Sequence, residues 1–460
     1  MNKTVNKGIY KKALALAVPM MIQNGITNAV GLVDNLMVGS LGTESMTAVS
    51  ISGQLMFVFN LGVFGALTGP AIYGAQYFGQ GNKEGFKNVL RLKYWICALF
   101  LIVGVLAFMF GGPFLIGLYL NGESNGIDAA LTLKLGLEYL HIMIWGFVPF
   151  VITQIYAGSL RETGESIKPM VAGIVSVVVD IVFNYLLIYG KAGFPCLGVR
   201  GAAIATVLAR FVEMAIVVIW THVKIKEHPY LQGMYDTIKI PIRSMKVMIV
   251  KSIPMFLNEF MWAGAMAALT QCYSVRGLEV VAGINISNAI CNLLNVVFIA
   301  MGGAVGIITG QSLGASKFKE AKEEGLKLMN FTGAICIILT VLLIAASGAF
   351  PKFYNTTEEV RSLGRSFIII NALFFPIQGY LNALYFTLRS GGKTVITFLF
   401  DSIYTWCGPV VVAFILCGFT NLGVLWIFTI IQAMDIIKIT IGYILIQKGI
   451  WITNLVADEA

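Results

Sequence analysis

Residues 51–79, ISGQLMFVFNLGVFGALTGPAIYGAQYFG, and residues 286–314, ISNAICNLLNVVFIAMGGAVGIITGQSLG, decide the fold. Neither stretch contains a charged residue. Each exceeds the ~20 apolar residues a helix needs to cross a bilayer. They also superpose without a gap at a shift of 235 residues: Ile51-Ser52 on Ile286-Ser287, Asn60 on Asn295, Ile72 on Ile307, Gln76 on Gln311 and Gly79 on Gly314. The register continues upstream, with Pro19-Met20 on Pro254-Met255, and Gly42 and Glu44 on Gly277 and Glu279. One copy says membrane helix. The second copy says duplication.

The composition agrees. Of 460 residues, 57% are hydrophobic and 12% charged, about half the ~25% charge of soluble domains, and the mean hydropathy is +0.82. A soluble core could not hide that much apolar surface. A β-barrel is excluded because barrel strands alternate apolar and polar residues over about ten positions. The net charge of +9 is spread over short segments between apolar runs, which reads as topology rather than nucleic-acid binding. Seven cysteines, mostly inside apolar runs, read as buried thiols. The first apolar run lacks a small-residue cleavage site and is expected to be retained.

Twelve spans follow: 13–38, 46–78, 94–118, 135–160, 168–188, 199–222, 251–274, 281–311, 328–350, 365–388, 394–416 and 422–446. With the amino terminus inside, the inside segments hold 23 Lys and Arg and the outside loops 7. That bias puts both termini in the cytoplasm. The expected organisation is an N-terminal lobe (1–222), a basic cytoplasmic linker (223–250) and a C-terminal lobe (251–460). The late spans repeat too, at slightly smaller shifts: Leu160-Arg161 falls on Leu388-Arg389, and Leu197-Gly198-Val199 on Leu422-Gly423-Val424. Six spans per copy is even, so the repeat is parallel, about an axis along the membrane normal. Secondary transporters use such repeats and bind substrate near the bilayer midplane. No Gly-rich phosphate loop is visible, no His/Cys/Asp cluster has metal-ligand spacing, and no nucleophilic triad can be argued. The expectation is a transporter without a cofactor, not an enzyme.

Acids inside spans cost about 2.5–3.5 kcal/mol each on insertion scales, so function is the default reading. Asp34 lies late in span one. Asp180 and Asn184 share a face of span five at i, i+4. Thr206 lies in span six, Glu259 in span seven and Asp401 in span eleven. A carboxylate in a span can hold a cation through oxygen ligands or carry a proton. Arg210/Glu213 and Asp435/Lys438 sit three residues apart and read as self-neutralising structural pairs. His141, in span four, reads as a packed polar residue.

Several motifs together resemble the multidrug and toxic compound extrusion (MATE) family. They are VPMMIQNGITNAVGLVDNLMVGSLG in span one, SIPMFLNEFMWAGA in span seven, GQSLGASKFKEAKEEG after span eight and LRSGGKTVITFLFDSIYTWCGP entering span eleven. The resemblance runs through nearly the whole chain. It implies an all-α membrane protein with two pseudo-symmetric six-helix lobes that alternate access and export cationic or amphipathic compounds in exchange for sodium ions or protons. It implies that Asp34, Asp180, Asn184 and Thr206 form a cation or proton pocket, with sodium held at Asp34, Asp180 and Asn184 if that is the ion, and that Glu259 is the second lobe's acid. Two departures stand out. The fifth-helix acid comes one turn early, as Asp180 before Asn184. Lys393 stands where many relatives have an acid, which moves the expected coupling toward the N-terminal lobe. Met37, Phe57, Tyr73, Met255, Phe256 and Trp262 are the expected adaptable cavity surface for cationic or amphipathic compounds. A monomer in the plasma membrane is expected, with no nucleic-acid partner. A lipid-linked oligosaccharide flippase of the same superfamily is the rival reading. It would want a basic cavity, whereas the spans here hold several acids.

Overall fold

The computed structural model describes residues 3–120 and 128–457, apart from the side chains of residues 3–7 and 32. The loop expected between spans three and four lies partly outside the described residues. Twelve long helices account for the fold: α1 (Lys3–Gly39), α2 (Thr43–Gln80), α3 (Lys83–Leu120), α4 (Ala129–Glu162), α5 (Ile167–Tyr189), α6 (Val199–Val223), α7 (Ile242–Ser274), α8 (Leu278–Gly314), α9 (Phe318–Ser347), α10 (Glu358–Ser390), α11 (Thr394–Phe419) and α12 (Val424–Gln447). Each lies over one expected span. Eleven of them are long and apolar enough to cross a membrane. The twelfth, α7, is as long but carries Lys246, Lys251 and Glu259 along with its apolar residues. Apolar side chains stay exposed along α3, including Leu99, Ile102, Val103, Leu106, Phe110 and Phe114. Such a face is stable only against lipid.

Two helices are irregular, each for a local reason. In α4 a 3-10 turn at Ile144–Gly146 interrupts the ladder, and the Arg210 guanidinium of α6 donates to the Gly146 carbonyl at 3.3 Å. In α11 two π turns, Leu399–Ile403 and Trp406–Val410, flank Tyr404. Pro409 lies in the second and supplies no amide proton to the ladder. Asp401 lies in the first. Single π turns widen a helix and concentrate at functional sites.

The chain divides into two compact units. One comprises Ile22–Ala71 and Lys83–Met245; the other comprises Met1–Met21, Ile72–Asn82 and Lys246–Ala460. Helices α1 and α2 each change unit just past an internal proline, Pro19 and Pro70. The amino-terminal unit packs aromatics at its centre. Phe59 stacks on Phe147 with ring centroids 4.1 Å apart, over Gly104, where a side chain would collide with the Phe59 ring. The segment after α6 folds back onto this unit. Tyr230, Leu231 and Met234 are buried, and Arg91 of α3 donates to the Met234 carbonyl at 3.2 Å.

In the carboxy-terminal unit, Ala13, Leu16, Ala17 and Met20 of α1 join a core with Met301, Ala304 and Ile308 of α8, Leu328 of α9 and Leu384 of α10. The segment after α12 folds back as well. Trp451 is fully buried in that core. The Gln76 side chain of α2 donates to the Ser390 carbonyl at 2.8 Å and accepts from the Leu455 amide at 2.7 Å. Asn454 donates to Ser316 Oγ at 2.9 Å.

Candidate functional site

Each unit contains one acidic centre among its spanning helices. In the amino-terminal unit, α5 places Asp180 and Asn184 one turn apart on its inward face, 6% and 1% exposed. Asn184 Nδ2 donates to Asp34 Oδ1 of α1 at 2.9 Å. Asp180 interacts with Asp34 and with Thr206 of α6. All four residues expected from the sequence are therefore brought together from three helices.

The acceptor count exceeds the donor count. Asp180 Oδ1 and Asn184 Oδ1 are buried without a hydrogen-bond partner. Thr206 turns its own hydroxyl proton to the Ala202 carbonyl at 3.1 Å, leaving its oxygen lone pairs as acceptors. Buried unpaired acceptors are costly unless something fills them. Arg210 does not fill them by hydrogen bonding. Its Nη1 goes to Gly146, and its guanidinium lies 5.0 Å over the Phe150 ring. Glu213 lies in the field of Arg210, as the i, i+3 spacing suggested, but shares it with Arg161, so the pair is not self-contained. The Gly146 carbonyl that Arg210 reaches belongs to the 3-10 turn of α4.

The centre of the carboxy-terminal unit is built differently. Asp401 Oδ1 accepts from Lys438 Nζ of α12 at 2.7 Å, and Oδ2 accepts from Asn258 Nδ2 of α7 at 3.0 Å. Asn258 also donates to the Tyr385 hydroxyl of α10 at 3.1 Å, and Ser402 donates to Asn258 Oδ1 at 2.8 Å. Four helices thus contribute to one network, in which α7 and α12 bond the Asp401 carboxylate directly and α10 bonds it through Asn258. Lys438 pairs with Asp401, not with Asp435 as i, i+3 spacing suggested. Glu259, next to Asn258, lies in the field of Arg389 and Asp401. Tyr385 and Ser402 gave no signal in the sequence. Asn258 was visible only as the neighbour of an acid.

The remaining expected residues scatter. Met255 is fully buried, and Tyr73 nearly so. Phe57 and Trp262 are exposed, Met37 and Phe256 half-buried, and Phe256 packs on Phe260 with centroids 4.9 Å apart. His141 is exposed, not packed. Among the described residues no group of three or more His, Cys, Asp and Glu side chains is placed to hold a metal ion.

The MatE family model matches this chain twice, over residues 19–186 and 254–417. The two matches begin 235 residues apart, the shift read from the sequence. The chain is 24% identical over 450 residues to a probable multidrug resistance protein NorM of Thermotoga maritima, covering 96% of this chain and 93% of that protein. It is 24% identical to a probable multidrug resistance protein YoeA of Bacillus subtilis, covering 99% and 97%. In fold it is similar to the Vibrio cholerae MATE transporter VcmN, solved as a D35N mutant, with a TM-score of 0.84 at 16% identity over 97% of this chain and 98% of that one. With both halves matched and twelve helices in place, the chain belongs to the MatE family of multidrug and toxic compound extrusion transporters.

Proposed function

We propose that this protein exports cationic or amphipathic organic compounds in exchange for sodium ions or protons, with Asp34, Asp180, Asn184 and Thr206 as the exchange site. The observation that carries this reading is the pair of unfilled buried oxygens, Asp180 Oδ1 and Asn184 Oδ1, beside a second carboxylate. Two carboxylates in a low-dielectric place repel until a proton or cation neutralises one of them. An ion entering there completes the site, and a cationic substrate competes for the same charge. Coupling then follows from differential binding to the two states of the transporter. One charge moved through 100 mV supplies about 2.3 kcal/mol, enough for roughly 50-fold accumulation of a neutral substrate. Glu259 and Asp401 form the second acidic centre of the same machine. The name carried by the curated relatives supports the substrate class, and the 23-to-7 charge bias supports cytoplasmic termini; we place the protein in the plasma membrane as a monomer.

Displacement tests this directly. Ethidium fluorescence reports binding to the purified protein. Sodium chloride or acid should release ethidium from the wild type and not from Asp180→Asn. Equal release from both would remove the exchange site from Asp180.

A further inference from the structure

The two acidic centres differ in one respect: the second already contains a cation, and it is covalently part of the chain. Lys438 is 7% exposed on α12 and its ammonium lies 2.7 Å from Asp401 Oδ1. The Phe400 and Tyr404 rings flank the ammonium at 5.5 and 5.9 Å, at the distance where ring faces attract a cation. The other Asp401 oxygen is taken by Asn258, which Ser402 holds in place. Asp401 therefore has both oxygens engaged, whereas the Asp34/Asp180 centre has acceptors unfilled.

We propose that Lys438 is a built-in counter-ion that occupies the second centre's cation position, so that Asp401 exchanges no free ion and the ion chemistry of this transporter is confined to the first centre. The proposal rests on the exchange reading above for the first centre, but its own content is a statement about ion binding at Asp401. The chemistry is that of substitution. A primary ammonium and a sodium ion or proton satisfy the same carboxylate, and only the ammonium is tethered. Lys438 thus sets ion number, as a specificity-determining residue. The other charged groups around the centre are Asp435, one turn earlier on α12, and Glu259 of α7 with Arg389 of α10. Arg389, whose guanidinium lies 5.1 Å over the Phe386 ring, offsets the charge of Glu259, and Asp435 is the further acid, among the described residues, that an incoming cation could meet.

The test is to remove the tether and ask whether a free ion takes its place. Thermal unfolding of the purified protein is followed in sodium chloride against choline chloride, and from pH 8 down to pH 5. Lys438→Met leaves Asp401 with a cation missing, and its melting temperature should rise with sodium or with acid by at least 5 °C more than that of the wild type. Lys438→Arg, which keeps a tethered charge, and the double variant D401N/K438M, which keeps Asp435 but has no Asp401 charge to neutralise, should respond as the wild type does. A general effect of losing a buried ion pair would shift all melting temperatures without creating an ion dependence that Asp401→Asn abolishes. Matching ion responses in Lys438→Met and D401N/K438M would overturn the proposal. So would a wild type whose sodium or acid response is lost on Asp401→Asn. None of these measurements needs transport, so a wild type that fails to export ethidium would sink the functional reading and leave this one standing.

Discussion

Gly79 and Gly314, which the internal repeat superposes, each lie against the backbone of the glutamine three residues before the other. A Cβ on Gly79 would fall 2.0 Å from the Gln311 carbonyl oxygen, and a Cβ on Gly314 would fall 1.9 Å from that of Gln76. Between them, a Cβ on the repeat-related Gly310 would sit 3.1 Å from Ala75 Cβ. The ends of α2 and α8 therefore cross at backbone contact, about a local axis that maps one copy on the other. Only glycine permits that approach.

This crossing predicts a cross-link. In a cysteine-free background, Ala75→Cys with Gly310→Cys places two Cβ atoms slightly closer than the ~3.5–4.5 Å of a disulfide, so a small adjustment suffices. Oxidation should link them and stop export, and reduction should restore it. Unchanged export by the fully linked protein would show that this crossing does not open during the cycle. Gly314→Val should abolish export and lower the melting temperature, since backbone cannot yield to a branched side chain.

The segment after α12 acts as a strap over that crossing. Trp451 fills the core beside Leu328 and Leu388, while Gln76 and Asn454 join the strap to α2 and to the turn after α8. Truncating a buried Trp to Ala costs about 3–5 kcal/mol in soluble cores. Trp451→Ala should lower the melting temperature markedly, and Asn454→Ala only slightly. Comparable small losses from both would mean that the strap contributes no packing.

Asn184 positions Asp34 through a single charge-assisted hydrogen bond. Such bonds contribute about 1.5–3 kcal/mol. Asn184→Ala should weaken the apparent affinity for the coupling ion by roughly 10-fold or more, measured as the half-saturating ion concentration for export. The maximal rate should change less.

Lys93 and Glu162 form a buried ion pair at 2.6 Å, with Ser159 accepting from the same ammonium at 3.1 Å. Removing one partner of such a pair costs about 3–5 kcal/mol, whereas removing both is often near neutral. Lys93→Met should therefore destabilise strongly, and K93M/E162Q should recover most of the loss in a thermal unfolding assay. No recovery would indicate that Lys93 has a role apart from Glu162.

The sequence was legible where one chemical constraint dominates. Each span declares itself through hydropathy, because lipid demands a fully bonded apolar helix. Asp34 and Asp180 could be nominated because an acid in a span is expensive, Asn184 and Thr206 because the MATE resemblance implies a shared pocket, and the structure brings all four together. Partner choice was not legible. Spacing offered Asp435 to Lys438, but the real partner, Asp401, is on another helix, in a π turn that no local pattern announced. The same holds for Arg210, whose carbonyl partner, Gly146, lies on another helix in a 3-10 turn. The repeat matched Gly79 with Gly314, but a match of copies does not say that the copies touch. Trp451 lies in a polar tail and gave no sign of core packing.

The central claim is that ion exchange at Asp34 and Asp180 drives export. The most direct measurement is ethidium efflux from proteoliposomes under sodium and proton gradients imposed separately, for the wild type and Asp34→Asn. The account predicts export driven by one of the two gradients in the wild type, and loss of that dependence in a well-folded Asp34→Asn protein. Gradient-driven export that survives Asp34→Asn undiminished would contradict it.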